Sequence, residues 1–530
     1  MTILNNISLK VLKFLVLLFP VSFLFGSPMI NTCTILISLT GLFYYNKNIF
    51  SWLDKIPLYI TTLFFLCIIF SSYYQFVSGE ENKDTIKSLL FLRYFVFLIV
   101  IKTMVMKTDL NLKHFFISSL FISVLISLDI IIQFIFGKNI LGYEPIEFTR
   151  QVKYYTSVFG KELVAGGFVQ MFSIIGIFSI FFIFKRINNK LFLYSLFFIF
   201  VSLFLISLTL AGNRMPLVMF IIFLILVSLI IKIKNKKFYL IGTSSVIILI
   251  FSIIVYDSDV LIKRSMNFYA GIPKPPTIIN ELKKEYPELK KYENSGIPFH
   301  NSEEFLLTKL KSSIDNKTKD IELTDASKFP TNGINYVQIG YEEILYTGII
   351  KNNLQGVKRG MRDTVPSVHE KGSTVTGSNF YKRHGYFSGH LPIFITSLDL
   401  FLDKPILGNG IKSYRNNCYK KVHLPNRICQ NHPHNFVLEI LNDTGFLGFL
   451  IIYSLVLYLL HSNFKDYQLG ETRKTEISNW IYLGIILGII IQFFPFKSSG
   501  SFFSTFNATY TFMLIGISLG LNELKYKKNS

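Results

Sequence analysis

Charge is scarce in this chain. Asp, Glu, Lys and Arg make up 16% of 530 residues, whereas 51% are hydrophobic and 16% aromatic. Soluble globular domains carry about 25% charged residues, so that class is excluded. Acidic residues are the scarcer kind, 33 against 54 Lys and Arg, which leaves a formal net charge of +21. On a soluble chain that excess would point to nucleic acid. Here the lysines sit in short connections between apolar runs, where they act as topology signals, and no nucleic-acid partner is expected. Part of the surplus would also suit an anionic lipid-phosphate substrate. No internal repeat is visible, which weakens a secondary-transporter reading. No convincing cleavage site follows the first apolar run, so it is read as retained rather than as a signal peptide.

Cysteine is rarer still, with four residues. Cys33 and Cys67 lie inside apolar runs and read as packing residues. Cys418 and Cys429 lie in a long polar segment, where an oxidising compartment would allow a disulfide. The sharper alternative is a zinc site with His423, His432 and His434, although their spacing follows no regular ligand pattern.

What the chain does have is long apolar runs. Candidate spans are 10–27, 29–45, 57–77, 87–105, 114–136, 165–185, 190–210, 215–232, 238–256, 440–462, 478–498 and 505–522, each near the ~20 residues needed to cross a bilayer core. With the N-terminus in the cytoplasm, alternate connections are basic: Asn46–Ile56, Lys107–Lys113, Lys185–Lys190, Lys232–Lys237, the stretch around Lys465, Arg473 and Lys474, and the tail Lys525–Lys528. The opposite connections are mixed or acidic, as at Gly79–Asp84. The expected fold is an all-α polytopic membrane protein of about twelve helices with both termini cytoplasmic. It divides into an N-terminal membrane domain (1–256), a large external segment (257–439) and a C-terminal membrane domain (440–530).

The connection Gly137–Val164, the turn Ala211–Arg214 and the long segment Asp257–Glu439 then lie on the external side. Within that segment, 312–377 changes character. Short alternating runs such as Tyr336–Gly340 and Glu342–Gly348 are separated by turn residues, which reads as a small all-β insert. The run Leu354–Gly360, with His369 and Gly372, is similar to a short β module of phage and surface proteins. Phe394–Leu402 reads as an amphipathic helix along the membrane surface, followed by a turn at Gly408–Gly410.

One stretch organises the rest: His432-Pro433-His434-Asn435, then Leu438-Glu439, Thr444-Gly445 and Gly448. Two histidines flank a proline where the polar segment meets an apolar span. Pro433 suits the first turn of a helix, which needs no donor there. This motif, together with Asp403–Arg415, the Asn213-Arg214 turn and Phe159–Glu162, resembles the O-antigen ligase family. The order and spacing agree over most of the chain, and the β insert departs from the pattern.

The resemblance implies a glycosyltransferase that takes a glycan from undecaprenyl pyrophosphate on the periplasmic face of the bacterial inner membrane. The acceptor is the lipid A core in ligases or another glycan in the related polymerases. No cofactor, metal or nucleotide sugar is implied; membrane lipids surround the protein.

Chemistry singles out the same residues. A pyrophosphate needs cationic donors in fixed geometry, and the planar fork of arginine supplies them. Arg214 ends a span in a tight external turn; it either binds phosphate or snorkels. Arg415, Arg150 and Arg264 are external and close to span ends or motifs. Arg93 lies inside a span, near Asp129 in depth, and is either a phosphate ligand or half of a structural pair. A sugar hydroxyl is a poor nucleophile, and histidine has the pKa of a general base near neutral pH. His434 is the first choice and His432 the second; the bland reading is a helix cap or a phosphate hydrogen bond. Glu439 would orient or assist, and His390 heads the amphipathic stretch. A transporter or a non-catalytic scaffold remains the alternative of another class.

Overall fold

The computed structural model describes residues 2–230 and 307–529, except 51, 53, 78–83, 149–151, 185–188, 328, 340–341, 362–365, 378–389, 422–428 and 471–477. The expected span 238–256, Arg150, Arg264, His423 and most of 257–311 lie outside the described residues. The described residues fall into two units. One lies within Met1–Phe70, Thr85–Lys263 and Leu447–Ser530, the other within Ser71–Asp84 and Arg264–Phe446.

The first unit is helical. Across the chain, seven described helices are long and apolar enough to cross a membrane: Phe19–Tyr45, Lys55–Gln75, Thr85–Met106, Leu112–Phe136, Ala165–Ile183, Phe192–Ala211 and Phe436–Gln468. Two shorter apolar helices, Arg214–Ile230 and Asn479–Gln492, accompany them, and Thr505–Asn529 closes the chain. The protein is therefore an integral membrane protein. A helix suits this setting because it satisfies its own backbone without water. Hydroxyls inside the spans do the same locally: Thr34 donates to the Ile30 carbonyl, Ser119 to Phe115 and Thr103 to Ile99. At Gly176 a Cβ would stand 2.4 Å from the backbone nitrogen of Leu120, so only glycine lets these two helices approach.

Buried polar groups are paired across helices. The Asp54 N–H donates to Glu523 Oε1 at 3.2 Å, the Tyr458 hydroxyl bonds Asp54, and Lys102 lies 4.1 Å from the centre of the Trp52 ring.

Two expectations need correction. The apolar run 10–27 is not one span: a helix covers Thr2–Leu17, and the chain restarts at Phe19. Pro20 in the first turn of the new helix and Gly26 at φ 74° account for the interruptions. The connection Gly137–Val164, in a fold expected to be all-α outside the insert, also holds a hairpin, β1 (Ile146–Phe148) and β2 (Val152–Tyr154), with Glu147 opposite Lys153.

The second unit contains the β insert. Its strands are β3 (Leu307–Lys309), β4 (Ile321–Glu322), β5 (Asn332–Ile339), β6 (Glu342–Ile350), β7 (Asn353–Gln355), β8 (Lys358–Met361) and β9 (Thr374–Gly377). All pairings are antiparallel, in the order β3-β9-β5-β6-β7-β4, with β8 also on β6. The insert thus includes Leu307–Lys309, ahead of the expected boundary at Ser312, because β3 pairs with the last strand, Leu307 opposite Thr376. Leu310, Ile321, Leu323, Val337, Ile344, Tyr346, Leu354 and Val375 form its core.

Glu342 is buried in this insert and accepts from Arg359 Nε and Nη2 at 2.5 and 2.7 Å and from the Ser367 N–H at 3.0 Å. His369 Nε2 lies 2.8 Å away. Burial pushes the Glu342 carboxyl up, but Arg359 and His369 outweigh it and hold it below the ordinary range. A depressed carboxyl contributes stability above its unfolded pKa of about 4.3, and that contribution is lost as pH falls through the folded value. Limited proteolysis of the full chain should therefore cut the insert increasingly below about pH 4. Glu342→Gln should weaken the insert at neutral pH by about 3–5 kcal/mol, because Arg359 is left buried and unpaired. Wild-type protease resistance in that variant would contradict the role given to Glu342.

Candidate functional site

Three histidines of the second unit, His390, His432 and His434, come together. His434 sits at φ 55°, in the left-handed region, just ahead of the helix that starts at Phe436. Asn435 caps that helix, its side-chain oxygen accepting the Leu438 N–H at 3.0 Å. The helix therefore begins three residues after Pro433, and Pro433 does not occupy its first turn. A side-chain cap supplies the start that the proline was expected to supply.

The His434 ring lies 4.1 Å from that of His432 and 5.0 Å from that of His390, centre to centre. His390 immediately precedes the helix Leu391–Asp403 and stacks on Phe394. Burial pushes its imidazole below the ordinary range, and its Nδ1 is buried with no hydrogen-bond partner among the described residues. His434 Nε2 lies 2.9 Å from Gln430 Oε1. An amide oxygen only accepts, so Nε2 carries the proton of the neutral ring and Nδ1 holds the lone pair.

The surroundings hold these rings in place. Cys418 and Cys429 are joined in a disulfide, with Cα atoms 5.0 Å apart, immediately before Gln430. They pack with Ile393, Leu400 and Tyr414. The Tyr414 hydroxyl donates to the Ile393 carbonyl at 3.4 Å, and Ser397 Oγ to the Leu438 carbonyl at 3.3 Å. Arg415 is exposed on the short helix Tyr414–Asn417. Glu439 is buried in the first turn of the helix from Phe436, one turn before Asp443. Replacing Cys418 and Cys429 by Ser should lower the unfolding free energy by about 2–4 kcal/mol, read as a fall in Tm. Free thiols at both positions in protein taken from an oxidising compartment would contradict the disulfide.

Sequence reasoning passed over Asp443. It is fully buried and accepts from the Lys412 N–H at 2.6 Å, Ser413 Oγ at 2.9 Å and Asn442 Nδ2 at 2.7 Å. An Asn-Asp pair at the head of an apolar span was the available signal, since intramembrane carboxylates are costly unless paired.

The remaining arginines are placed as follows. Arg214 and Arg93 belong to the first unit. Arg214 is exposed and opens the helix Arg214–Ile230. Its turn is braced by Asn213 Nδ2 donating to the Leu163 carbonyl at 2.6 Å. Gly212, at φ 79°, also braces it; a Cβ there would meet the Tyr154 ring of the hairpin at 2.6 Å. A cation here adds to peptide N–H groups that already favour an anion. Arg93 donates to the Leu90 carbonyl and the Tyr94 hydroxyl, both at 2.9 Å, and its buried Nε has no partner among the described residues.

The alternative of a structural Arg93–Asp129 pair is corrected. Asp129 instead accepts from Ser157 Oγ, the Ile140 N–H and Asn139 at 2.5, 2.9 and 3.3 Å, closing the connection after its own helix. Among the described residues no cluster of three or more His, Cys, Asp or Glu side chains is arranged to hold a metal ion.

Residues 198–453 match the family model described as O-Antigen ligase. Over that stretch, a little under half of the chain, the sequence is similar to the O-antigen ligase family. That match implies a membrane glycosyltransferase of the ligase and polymerase type and fits a part in lipopolysaccharide biosynthesis. The matched stretch contains Arg214, the β insert and the whole histidine cluster, whereas Arg93 falls before it. No curated protein matches the chain.

Proposed function

We propose that this chain moves a glycan from undecaprenyl pyrophosphate to the lipid A core on the periplasmic face of the inner membrane. Both termini are then cytoplasmic and the β insert is periplasmic, in keeping with the basic connections on one side. The observation that carries the chemistry is the His434 ring, held by Gln430 through Nε2 with Nδ1 as its lone-pair nitrogen. In the reaction, the His434 imidazole takes the proton of the acceptor hydroxyl as its oxygen bonds the anomeric carbon. The bond from that carbon to the pyrophosphate oxygen breaks, and undecaprenyl pyrophosphate leaves with the electron pair. Arginine neutralises the leaving group, and Arg214 is the residue assigned to that task; Arg415, Arg93, Arg150 and Arg264 are further candidates for phosphate contacts. His432, His390 and Glu439 line or orient the acceptor side.

The test is transfer by purified full-length protein from a lipid-pyrophosphate glycan, offered lipid A core and free glycan separately. Product on the core supports the ligase, and product on the glycan alone would replace it with a polymerase. Arg214→Lys keeps the charge but loses the bidentate fork, so donor affinity should fall markedly. Unchanged affinity would remove Arg214 from phosphate binding.

A further inference from the structure

Asp443 takes no part in the chemistry above, yet each of its polar groups is engaged. Its carboxylate holds the Lys412 N–H, the Ser413 hydroxyl and the Asn442 amide. Its carbonyl accepts from the Gly410 N–H at 2.9 Å and from Ser71 Oγ at 2.8 Å. Neighbouring bonds run in the same sense. The Asn442 carbonyl accepts the Asn409 N–H at 2.8 Å, Gln75 Nε2 donates to the Gly408 carbonyl at 2.8 Å, and the Ile411 N–H donates to Ser72 Oγ at 3.1 Å. Three segments far apart in sequence thus meet at one residue: Ser71–Gln75, the turn Lys404–Ser413, and the head of the helix from Phe436.

These bonds close a circuit that contains His434. From Asp443 the path runs through Ser413, which begins the short helix Tyr414–Asn417, to Cys418. The disulfide crosses to Cys429, and the next residue, Gln430, holds His434 Nε2. From His434 the capped helix returns to Asp443. The ring is therefore fixed from the helix side and from the loop side, and Asp443 is where the two sides are joined. A buried carboxylate is a poor choice for stability alone, since well-packed apolar residues often do as well. Its value lies in direction: three donors converge on one carboxylate and leave the turn a single placement.

We infer that Asp443 is a positioning residue, which sets the placement of the His434 imidazole by pinning the Lys404–Ser413 turn to the helix from Phe436. The inference rests on His434 being the base.

The experiment uses full-length protein carrying Asp443→Asn, or Ser413→Ala, which removes one of the three donors and leaves the carboxylate. Each is compared with wild type in donor binding, in single-turnover transfer, and in the rate at which diethyl pyrocarbonate labels His434, followed by mass spectrometry. Displacement of a reacting group by about 1 Å costs on the order of 10²-fold in rate. Asp443→Asn should lose transfer on that scale with donor affinity unchanged, and Ser413→Ala should lose less. Both should label His434 faster than wild type, because its hold on Gln430 is loosened. Loss of affinity in parallel with rate would indicate general unfolding and overturn the inference, as would wild-type transfer and labelling in both variants. If Asp443→Asn does not fold, Ser413→Ala decides by the same criteria. If wild-type protein transfers nothing, the transferase reading has failed, and the labelling rates alone still decide whether Asp443 places His434.

Discussion

His434→Ala is expected to leave binding of the lipid-pyrophosphate donor near the wild-type level and to cut single-turnover transfer by about 10²–10⁴-fold. The reason lies in the hydrogen bonding of the ring. Gln430 engages Nε2 and fixes the ring, whose task is to take a proton and not to hold the donor in the ground state. Loss of a base appears in turnover, and loss of a phosphate ligand appears in affinity. The measurement is donor binding to the purified variant, followed by rapid-quench transfer with enzyme in excess. Abolished binding with the His434→Ala variant would make His434 a phosphate ligand and move the base to His432 or His390. His390 is suited to that second role only when neutral, which its burial favours.

The second large effect is expected at Gly445. The helix from Phe436 is interrupted there, at φ 68° and ψ −173°, a region that is essentially glycine-only. The interruption frees the Phe446 N–H to donate to the Pro405 carbonyl at 2.7 Å. A Cβ on Gly445 would lie 2.2 Å from the Ile406 carbonyl oxygen, and one on Gly408 would lie 2.4 Å from the Gly445 nitrogen. Gly445→Ala therefore combines backbone strain of about 1–3 kcal/mol with a backbone overlap that no side-chain rotation relieves. The expected outcome is loss of folded, membrane-inserted protein, or a large fall in Tm. Gly26→Ala is the matched control: its φ is 74° and its ψ −171°, but the nearest atom to the added Cβ is Pro28 Cδ at 3.9 Å. It should be destabilised by strain alone. Equal behaviour of the two variants would show that the Gly408–Gly445 approach contributes nothing.

The membrane helices were legible because their physics is local. A run of about 20 apolar residues has few alternatives to a spanning helix. The β insert showed in its alternation from Tyr336 to Gly348, and so did the amphipathic helix that became Leu391–Asp403. Local pattern failed where a partner is distant. Strand β3 has three residues, and only its pairing with Thr374–Thr376 makes it a strand. Gln75 and Gly408 are 333 residues apart, and no spacing rule connects them. Asp443 looked like an isolated polar residue at the head of a span, since its donors come from Lys412 and Ser413. The histidine pair flanking Pro433 was visible in one motif, whereas the approach of His390, more than forty positions earlier, required the fold.

The central claim is that this chain transfers glycan from a polyprenyl pyrophosphate with His434 as the base. The most direct measurement is a single turnover by purified full-length protein that counts both products, transferred glycan and released undecaprenyl pyrophosphate. Wild-type protein should release one undecaprenyl pyrophosphate for each glycan appearing on the acceptor, and His434→Ala should form both products more slowly by the same factor. Equal rates of glycan transfer by wild type and His434→Ala, or release of undecaprenyl pyrophosphate with no glycan on any acceptor, would contradict the account.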